Sequence, residues 1–546
     1  MRSPASSATR RNVVLVPILL SLASSIAADP VDWVNPAYMI RIGQDPPPQF
    51  SKAKAAVLRN APQSAQDGPW SVTTQSIRAS SNNPHDYLSW APYHWPDCHF
   101  CSSPGAKPDV ATSQIGLPMG QQSDDDNDGT YDRRRRGFLD PLALFSLPAI
   151  APLAFGSPAA RPSAASHRRH GSGTHDPVAV PTLAPLVRRK AAGSGDDSGC
   201  TPTKSPLPPS ATWTMCSYTA RDGKVNPDVR SLNDSRYAVA LPQMAITNAI
   251  AYTLTRSRDY SSIAASYIET FFLRSDTAMS PALDYGQVVR GPGKTEGSFM
   301  AILDWRGMVK VANAVQILRQ IRAPDWTPQR DQAFVAWCRQ YLHWLLTSPI
   351  GQKASRAANN HGSFYFSQVI ALQIVTGDYS AARSSVQQYF NAQFLDQITA
   401  RGDQPYEAVR TRPWHYRNFN IEAMIVNAKM GDQLGIDMWS AQTRYNATIQ
   451  TALDFTMSTK PGSEVVTEIV PHMAVVAAVY GDPGGKYSKF MARVQPEYDG
   501  KAWFLWNQRL CFTTSPRVEH TVNARRRRAL VPSTLLHAQE RCERDL

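Results

Sequence analysis

The chain has 546 residues, 42% of them hydrophobic, with 57 Lys and Arg against 44 Asp and Glu for a net charge of +13. That apolar content excludes a wholly disordered chain and is ample for a sizeable core. The positive charge is scattered: residues 1–28 carry +3, the stretch 98–216 carries +2 and the tail 517–546 carries +3, leaving +5 on the remainder. An excess that small suits an acidic ligand without identifying one.

In chain order, Arg10 and Arg11 precede an apolar run from Val13 to Ile26, followed by the small residues Ala27 and Ala28. This pattern predicts a secretory signal peptide over 1–28 and a secreted, extracellular chain. No later stretch reaches the roughly 20 apolar residues of a membrane span. Residues 29–97 are mixed, with aromatics clustered from Tyr87 to Trp95. From 98 to 215 the chain is rich in Pro, Ser, Ala, Gly and charge blocks, a composition that predicts a disordered insertion. Cys98, Cys101 and Cys216 flank it, and an oxidising compartment would favour a bridge among such cysteines. His94, Cys98, His99 and Cys101 do not have the spacing of a standard zinc finger. Asn233-Asp-Ser and Asn446-Ala-Thr are glycosylation sequons.

Apolar residues then recur at helical spacing over 237–254, 260–272, 299–321, 332–346, 364–375, 379–395, 419–430, 445–457 and 464–479. Gly and Pro sit at the breaks, and alternating strand patterns are absent. The reading is all-α, antiparallel helix hairpins packed side by side. Residues 216–515 would form the main domain, 29–97 its N-terminal part, and 516–546 a basic tail. The Arg133–Arg136 and Arg525–Arg528 runs read as solvated or processed segments, not as a nucleic-acid surface.

Polar-aromatic islands interrupt this pattern. They are Asn359-Asn-His-Gly-Ser-Phe-Tyr365, the stretch from Gln404 to Asn420, Asp284-Tyr-Gly-Gln-Val-Val-Arg290, and the Tyr87–Trp95 cluster. Asn359-Asn-His361 before a helix resembles the active-site segment of the alginate lyase family. So does Glu407-x-x-Arg410-x-Arg412-x-x-His415-Tyr416-x-Asn418. The segments 85–96 and 221–230 are similar to that family's N-terminal substrate-facing part, and the four motifs stand in family order. The insertion at 98–215 and the C-terminal tail depart from it. The resemblance implies an incomplete (α/α) toroid with a central cleft, a polysaccharide lyase acting by β-elimination, no cofactor and no metal. It assigns Tyr416 to proton transfer, and Asn360, His361 and Arg410 to holding or neutralising the substrate carboxylate. In related lyases such a histidine is the base when proton and leaving group lie on opposite ring faces.

The residue types suit that chemistry. The C5 proton of a uronate is very weakly acidic until the adjacent carboxylate is neutralised, and Asn, His and Arg are suitable neutralisers. A base takes the proton and an acid protonates the leaving O4. A phenol of reference pKa about 10 needs help as a base, which Arg410 or Arg412 would give electrostatically, with His415 a second candidate. Substrate contacts are expected from Asn359, Arg412, His415, Tyr87, Trp90, Tyr93, His94, Trp95, Tyr285, Gln287 and Arg290. For several a structural role competes: Asn359 as a helix cap, Arg412 as an ion-pair partner of Glu407, the aromatics as core.

The expectation is a monomeric, endo-acting lyase on a 4-linked polyuronate, either mannuronate-rich alginate or glucuronan, with no membrane or nucleic-acid partner. A glycoside hydrolase would need two carboxylates flanking the scissile bond, and the islands offer only Glu407 convincingly. A non-catalytic polyuronate-binding protein is the other alternative.

Overall fold

Residues 30–96 and 217–507 are described by the computed structural model, and all of them fall in one unit. The expected signal peptide, the expected 98–215 insertion with Cys98, His99 and Cys101, the cysteine Cys216 and the expected basic tail lie outside these residues. Helices α1 (Pro36–Gln44) and α2 (Ser51–Ser64) precede two short strands, β1 (Leu88–Trp90) and β2 (His94–Pro96). After β3 (Tyr218–Ala220) come α3 (Asp234–Thr255), α4 (Arg258–Phe272) and β4 (Tyr285–Val288). Apart from the single turns Ala301–Asp304 and Pro405–Ala408, the helices that follow are α5 (Met308–Gln320), α6 (Pro328–Thr347), α7 (Pro349–Ser355), α8 (Asn360–Val375) and α9 (Tyr379–Asn391). They continue with α10 (Pro413–Gln433), α11 (Ile449–Ser458), α12 (Val470–Tyr480) and α13 (Lys486–Val494).

The packing is a double layer of helix hairpins. Helices α3, α5, α8, α10 and α12 form an inner row of successive neighbours, while α4, α6, α9, α11 and α13 lie outside them. An inner helix is covered on both sides, so it is buried all round instead of along one stripe. Every residue of α8 from Asn360 to Val375 is buried. Outer helices such as α9 bury only one face, through Ala382, Val386, Tyr389 and Phe390. Gly307, just before α5, lets two inner helices meet: a Cβ there would lie 2.7 Å from Pro242 Cγ of α3.

Helix starts follow from local chemistry. Thr327, Ser348, Asn359 and Asp378 each accept a backbone N–H in the first turn of the helix they precede, satisfying donors that would otherwise be orphaned. Proline occupies the first turns of α6, α7 and α10, where its missing N–H costs nothing. These caps place helix starts earlier than periodicity alone. Helix α8 begins at Asn360 and not Phe364, and α10 begins at Pro413 and not Phe419. The predicted 299–321 helix is broken by a 3-10 turn at Trp305–Gly307.

The short strands are a correction to the strand-free reading. Strand β1 pairs in parallel with β4, and β2 pairs antiparallel with β3. Three or four residues are too few to show a period of two, yet these pairs tie the 87–96 aromatics to 218–220 and 285–288. Asn233 and Asn446, the sequon asparagines, are both exposed.

Candidate active site

Two of the islands meet where inner helices begin. At the start of α8, Asn359 Oδ1 accepts the His361 backbone N–H at 3.2 Å and faces the His361 Nδ1 at 3.0 Å. A backbone N–H can only donate, so it fixes the orientation of the Asn359 amide, and Nδ1 must then carry the ring proton. Nε2 is left with its lone pair. Burial, with the nearby Arg410 charge, lowers the His361 pKa to about 3. The imidazole is therefore neutral, packed against Phe299 at 5.0 Å between ring centroids.

Asn360 is held by Glu407. Its backbone N–H donates to Glu407 Oε1 and its Nδ2 to Oε2, both at 2.9 Å. Burial raises the Glu407 pKa to about 7, against the lowering effect of the two Asn360 hydrogen bonds. The Asn360 Oδ1 is buried and has no hydrogen-bond partner among the described residues.

On the other island, the Arg410 guanidinium lies 3.8 Å from the Tyr416 ring centroid. Asp222 fixes it, accepting from Nη2 at 2.7 Å and Nε at 3.3 Å. The same carboxylate accepts from Thr411 N at 2.9 Å and Oγ1 at 3.0 Å. Burial alone would raise the Asp222 pKa, but the Arg410 and Thr411 hydrogen bonds outweigh it and the net shift is downward. Gly223 makes the approach feasible: its φ is +72°, and a Cβ there would collide with Thr411 Oγ1. The Tyr416 phenol donates to the Tyr93 oxygen at 3.0 Å. Burial, reinforced by Tyr93, raises the Tyr416 pKa despite Arg410. The phenol keeps its proton at rest.

Other expected site residues are placed differently. Tyr87 is 1% exposed, packed on Trp305 and donating to Asp304 at 2.9 Å, so it belongs to the core and not to a sugar platform. Gln287 donates to the same Asp304 at 2.6 Å. Trp90 is buried and donates to Ser231. Arg290 is buried between the Trp90 and Tyr218 rings, with Asp228 at 3.4 Å. These residues knit β1 to β4 instead of presenting themselves to a ligand. His94 is buried beside them, Tyr285 is half-buried, and Trp95 donates to Lys224 O beneath Arg221. Asn359 spends its carbonyl oxygen on the helix end. Arg412 does not pair with Glu407, which Asn360 occupies; the carboxylate it approaches is Glu468, at 3.9 Å. His415 Nδ1 lies 3.0 Å from that same Glu468, and its ring stacks on Phe419.

Sequence reasoning missed Asp222, Glu464 and Glu468 as supporting groups. An acid beside a glycine in Arg221-Asp-Gly223 was the available signal for Asp222.

A two-layer helical toroid with an Asn–His pair and an Arg–Tyr pair at the starts of adjacent inner helices has the architecture of α/α polysaccharide lyases. A sequence profile of the family "Alginate lyase" matches residues 168–463, more than half of the chain. The chain belongs to the alginate lyase family and is a polysaccharide lyase. The crystal structure of an alginate lyase from Bacteroides ovatus is similar at 20% identity and a TM-score of 0.61, covering 88% of this chain and 99% of that one. Alginate lyase A1-III from Sphingomonas species A1 matches at 17% identity and a TM-score of 0.33, over 44% of this chain and 62% of that one. A search of curated proteins gives no match. Among the described residues, no helix is long and apolar enough to cross a membrane.

Proposed function

We propose that this chain cleaves a 4-linked polyuronate, alginate first, by β-elimination, with Tyr416 as the acid and His361 as the base. The observation that carries the reading is the geometry of the two pairs, with Asn359 on His361 Nδ1 so that Nε2 is left to accept, and the Arg410 guanidinium against the Tyr416 ring. The buried Tyr416 phenol retains its proton beside Arg410, while His361 is neutral with its proton on Nδ1. The imidazole Nε2 takes the C5 proton. The electron pair of that C–H bond forms C4=C5 as the C4–O4 bond breaks, and the phenol protonates O4. Arg410 and the Asn360 amide stabilise charge spreading into the substrate carboxylate. The partnerless Asn360 Oδ1 is suited to a substrate hydroxyl. The product is a 4,5-unsaturated uronate end.

Hydrolysis is disfavoured because it needs two carboxylates about 5–9.5 Å apart across the scissile bond. Glu407 is fully buried behind Asn360, and Asp222 is engaged by Arg410 and Thr411. The domain limits of the sequence reading, with 216–515 as the lyase body, and export from the cell belong to the same proposal.

The test follows ultraviolet absorbance of the conjugated product on mannuronate-rich alginate, guluronate-rich alginate and glucuronan. Tyr416→Phe is expected to lose about 10²–10⁴-fold in kcat with oligosaccharide binding intact. His361→Gln is expected to lose turnover on each substrate the enzyme cleaves. Turnover by His361→Gln on mannuronate-rich chains would move both proton transfers to the phenol. Absence of absorbance with the wild-type chain on all three polymers would overturn the elimination reading.

A further inference from the structure

Beside the Arg410–Tyr416 island lies an open groove of about 580 Å³, lined by Thr411, Arg412, Pro413 and the loop Lys460–Val465. That volume is within the roughly 300–1,000 Å³ range of sites that hold a small molecule. Its charges are unbalanced. Lys460 is exposed, and the Arg412 side chain is 38% exposed with its carboxylate neighbour Glu468 no closer than 3.9 Å. Glu468 is itself 3.0 Å from His415 Nδ1. The remaining acid, Glu464, has both oxygens directed to the α10 start, accepting from Trp414 N at 3.1 Å and His415 N at 2.8 Å. The groove thus presents two cations with free donors, and its one acid is turned to backbone.

Arg412 lies one helical turn from Tyr416, and Thr411 is bonded to the carboxylate that fixes Arg410. The groove therefore borders the reacting centre without contributing to it. We infer that it is an accessory subsite for a uronate of the same substrate chain, away from the cleaved bond, with Arg412 and Lys460 gripping its carboxylate. A polyanion with one carboxylate per sugar offers such a group at every residue, and a guanidinium takes it bidentately. Exposed cations of this kind contribute binding that is screened by salt. The inference rests on the polyuronate reading above and adds where the chain runs on leaving the centre.

The experiment compares wild type with Arg412→Gln, Lys460→Gln and the double variant. The double variant is expected to raise KM on the polymer about tenfold, with each single variant up to about fivefold, kcat holding within about twofold. Its KM should also depend less steeply on ionic strength. Calorimetry of a saturated polyuronate oligosaccharide on the Tyr416→Phe background should show the same loss of affinity without turnover. A double variant with unchanged KM and unchanged affinity, or with a loss confined to kcat, overturns the subsite. Lys460 sits on an exposed loop, so Lys460→Gln carries the test should the Arg412 variants lower Tm. If wild type cleaves the polymer and the variants match it, the subsite alone fails. If wild type neither cleaves nor, as Tyr416→Phe, binds any polyuronate, both readings fail.

Discussion

Asp222→Asn tests whether Arg410 works because it is held. The carboxylate takes four donors: Arg410 Nε and Nη2, Thr411 N and Thr411 Oγ1. Three of them end on Oδ2 and only Arg410 Nη2 on Oδ1. An asparagine that keeps its oxygen at the three-donor position therefore turns Nδ2 toward Arg410 Nη2, loses that bond, and takes the charge out of the Arg410 Nε bond. Hydrogen bonds to charged groups contribute about 1.5–3 kcal/mol each. The Asp222 side chain is 33% exposed and Arg410 14% exposed, so screening lowers this to about 1 kcal/mol each. The lost bond and the weakened one together make about 1–2 kcal/mol, which converts to a roughly 5- to 30-fold fall in kcat/KM if all of it is expressed in the transition state. Initial rates of double-bond formation measure it directly. A double-mutant cycle supplies the control: in an Arg410→Ala background, Asp222→Asn should cost nothing further. Retention of kcat/KM within about threefold of wild type, or full additivity in the cycle, would refute the idea that Asp222 acts through Arg410.

Glu407→Gln should change the pH dependence of stability. A carboxylate whose folded pKa is raised from 4.5 to about 7 favours folding when protonated, so its contribution is full below the unfolded value and declines as pH rises to about 7. The decline integrates to about 3 kcal/mol. Glutamine removes it while mismatching one Asn360 donor, so denaturant melts should show greater destabilisation at pH 5 than at pH 8; a pH-independent difference would sink the argument. Lys429→Met is expected to cost about 3–5 kcal/mol in urea unfolding, because it strands the buried Asp32 carboxylate. Lys429 Nζ donates to Asp32 Oδ1 at 2.7 Å and Asn507 Oδ1 at 2.6 Å, with Trp506 Nε1 on Asp32 Oδ2. Asp32→Asn combined with Lys429→Met should recover part of the loss, and a loss equal to the sum of the two single changes would show the pair is not coupled.

How far these features were legible depends on the range over which each is encoded. Hairpins such as α3–α4 and α8–α9 are written in local apolar spacing, and in the second Gly377 at φ +85° ends α8 as its position suggests. Asn360, His361, Arg410 and Tyr416 stood out because such residues are unusual at the head of an apolar helix. Helices α1 and α2 were missed because prolines and mixed polarity obscure their period. The Asp222 partnership spans 188 residues, and no local pattern encodes a pairing of that separation. Tyr87 and Tyr93 are equivalent in composition and six residues apart. Only pairing with β4 sends the first into the core under Trp305, while the second meets Tyr416.

The two inner helices that carry the proposed site solve one problem in the same way, and the solution shapes that site. Each begins with backbone N–H groups that need acceptors and with a dipole that favours negative charge. Helix α8 receives the Glu407 carboxylate on Asn360 N, and α10 receives Glu464 on Trp414 N and His415 N. Both acids come from other segments, and both are turned inward to the helix ends. Glu407 and Glu464 are thereby bound at the helix starts, while Arg410, held by Asp222, stays beside Tyr416 and Arg412 lies at the site's margin. A polyanionic substrate then meets donors and cations at the reacting centre. The cost is a carboxylate such as Glu407 held without water, its proton affinity raised. The pH response of Glu407 and the substrate preference of the site are therefore two consequences of the same capping arrangement, and a variant that alters one should alter the other.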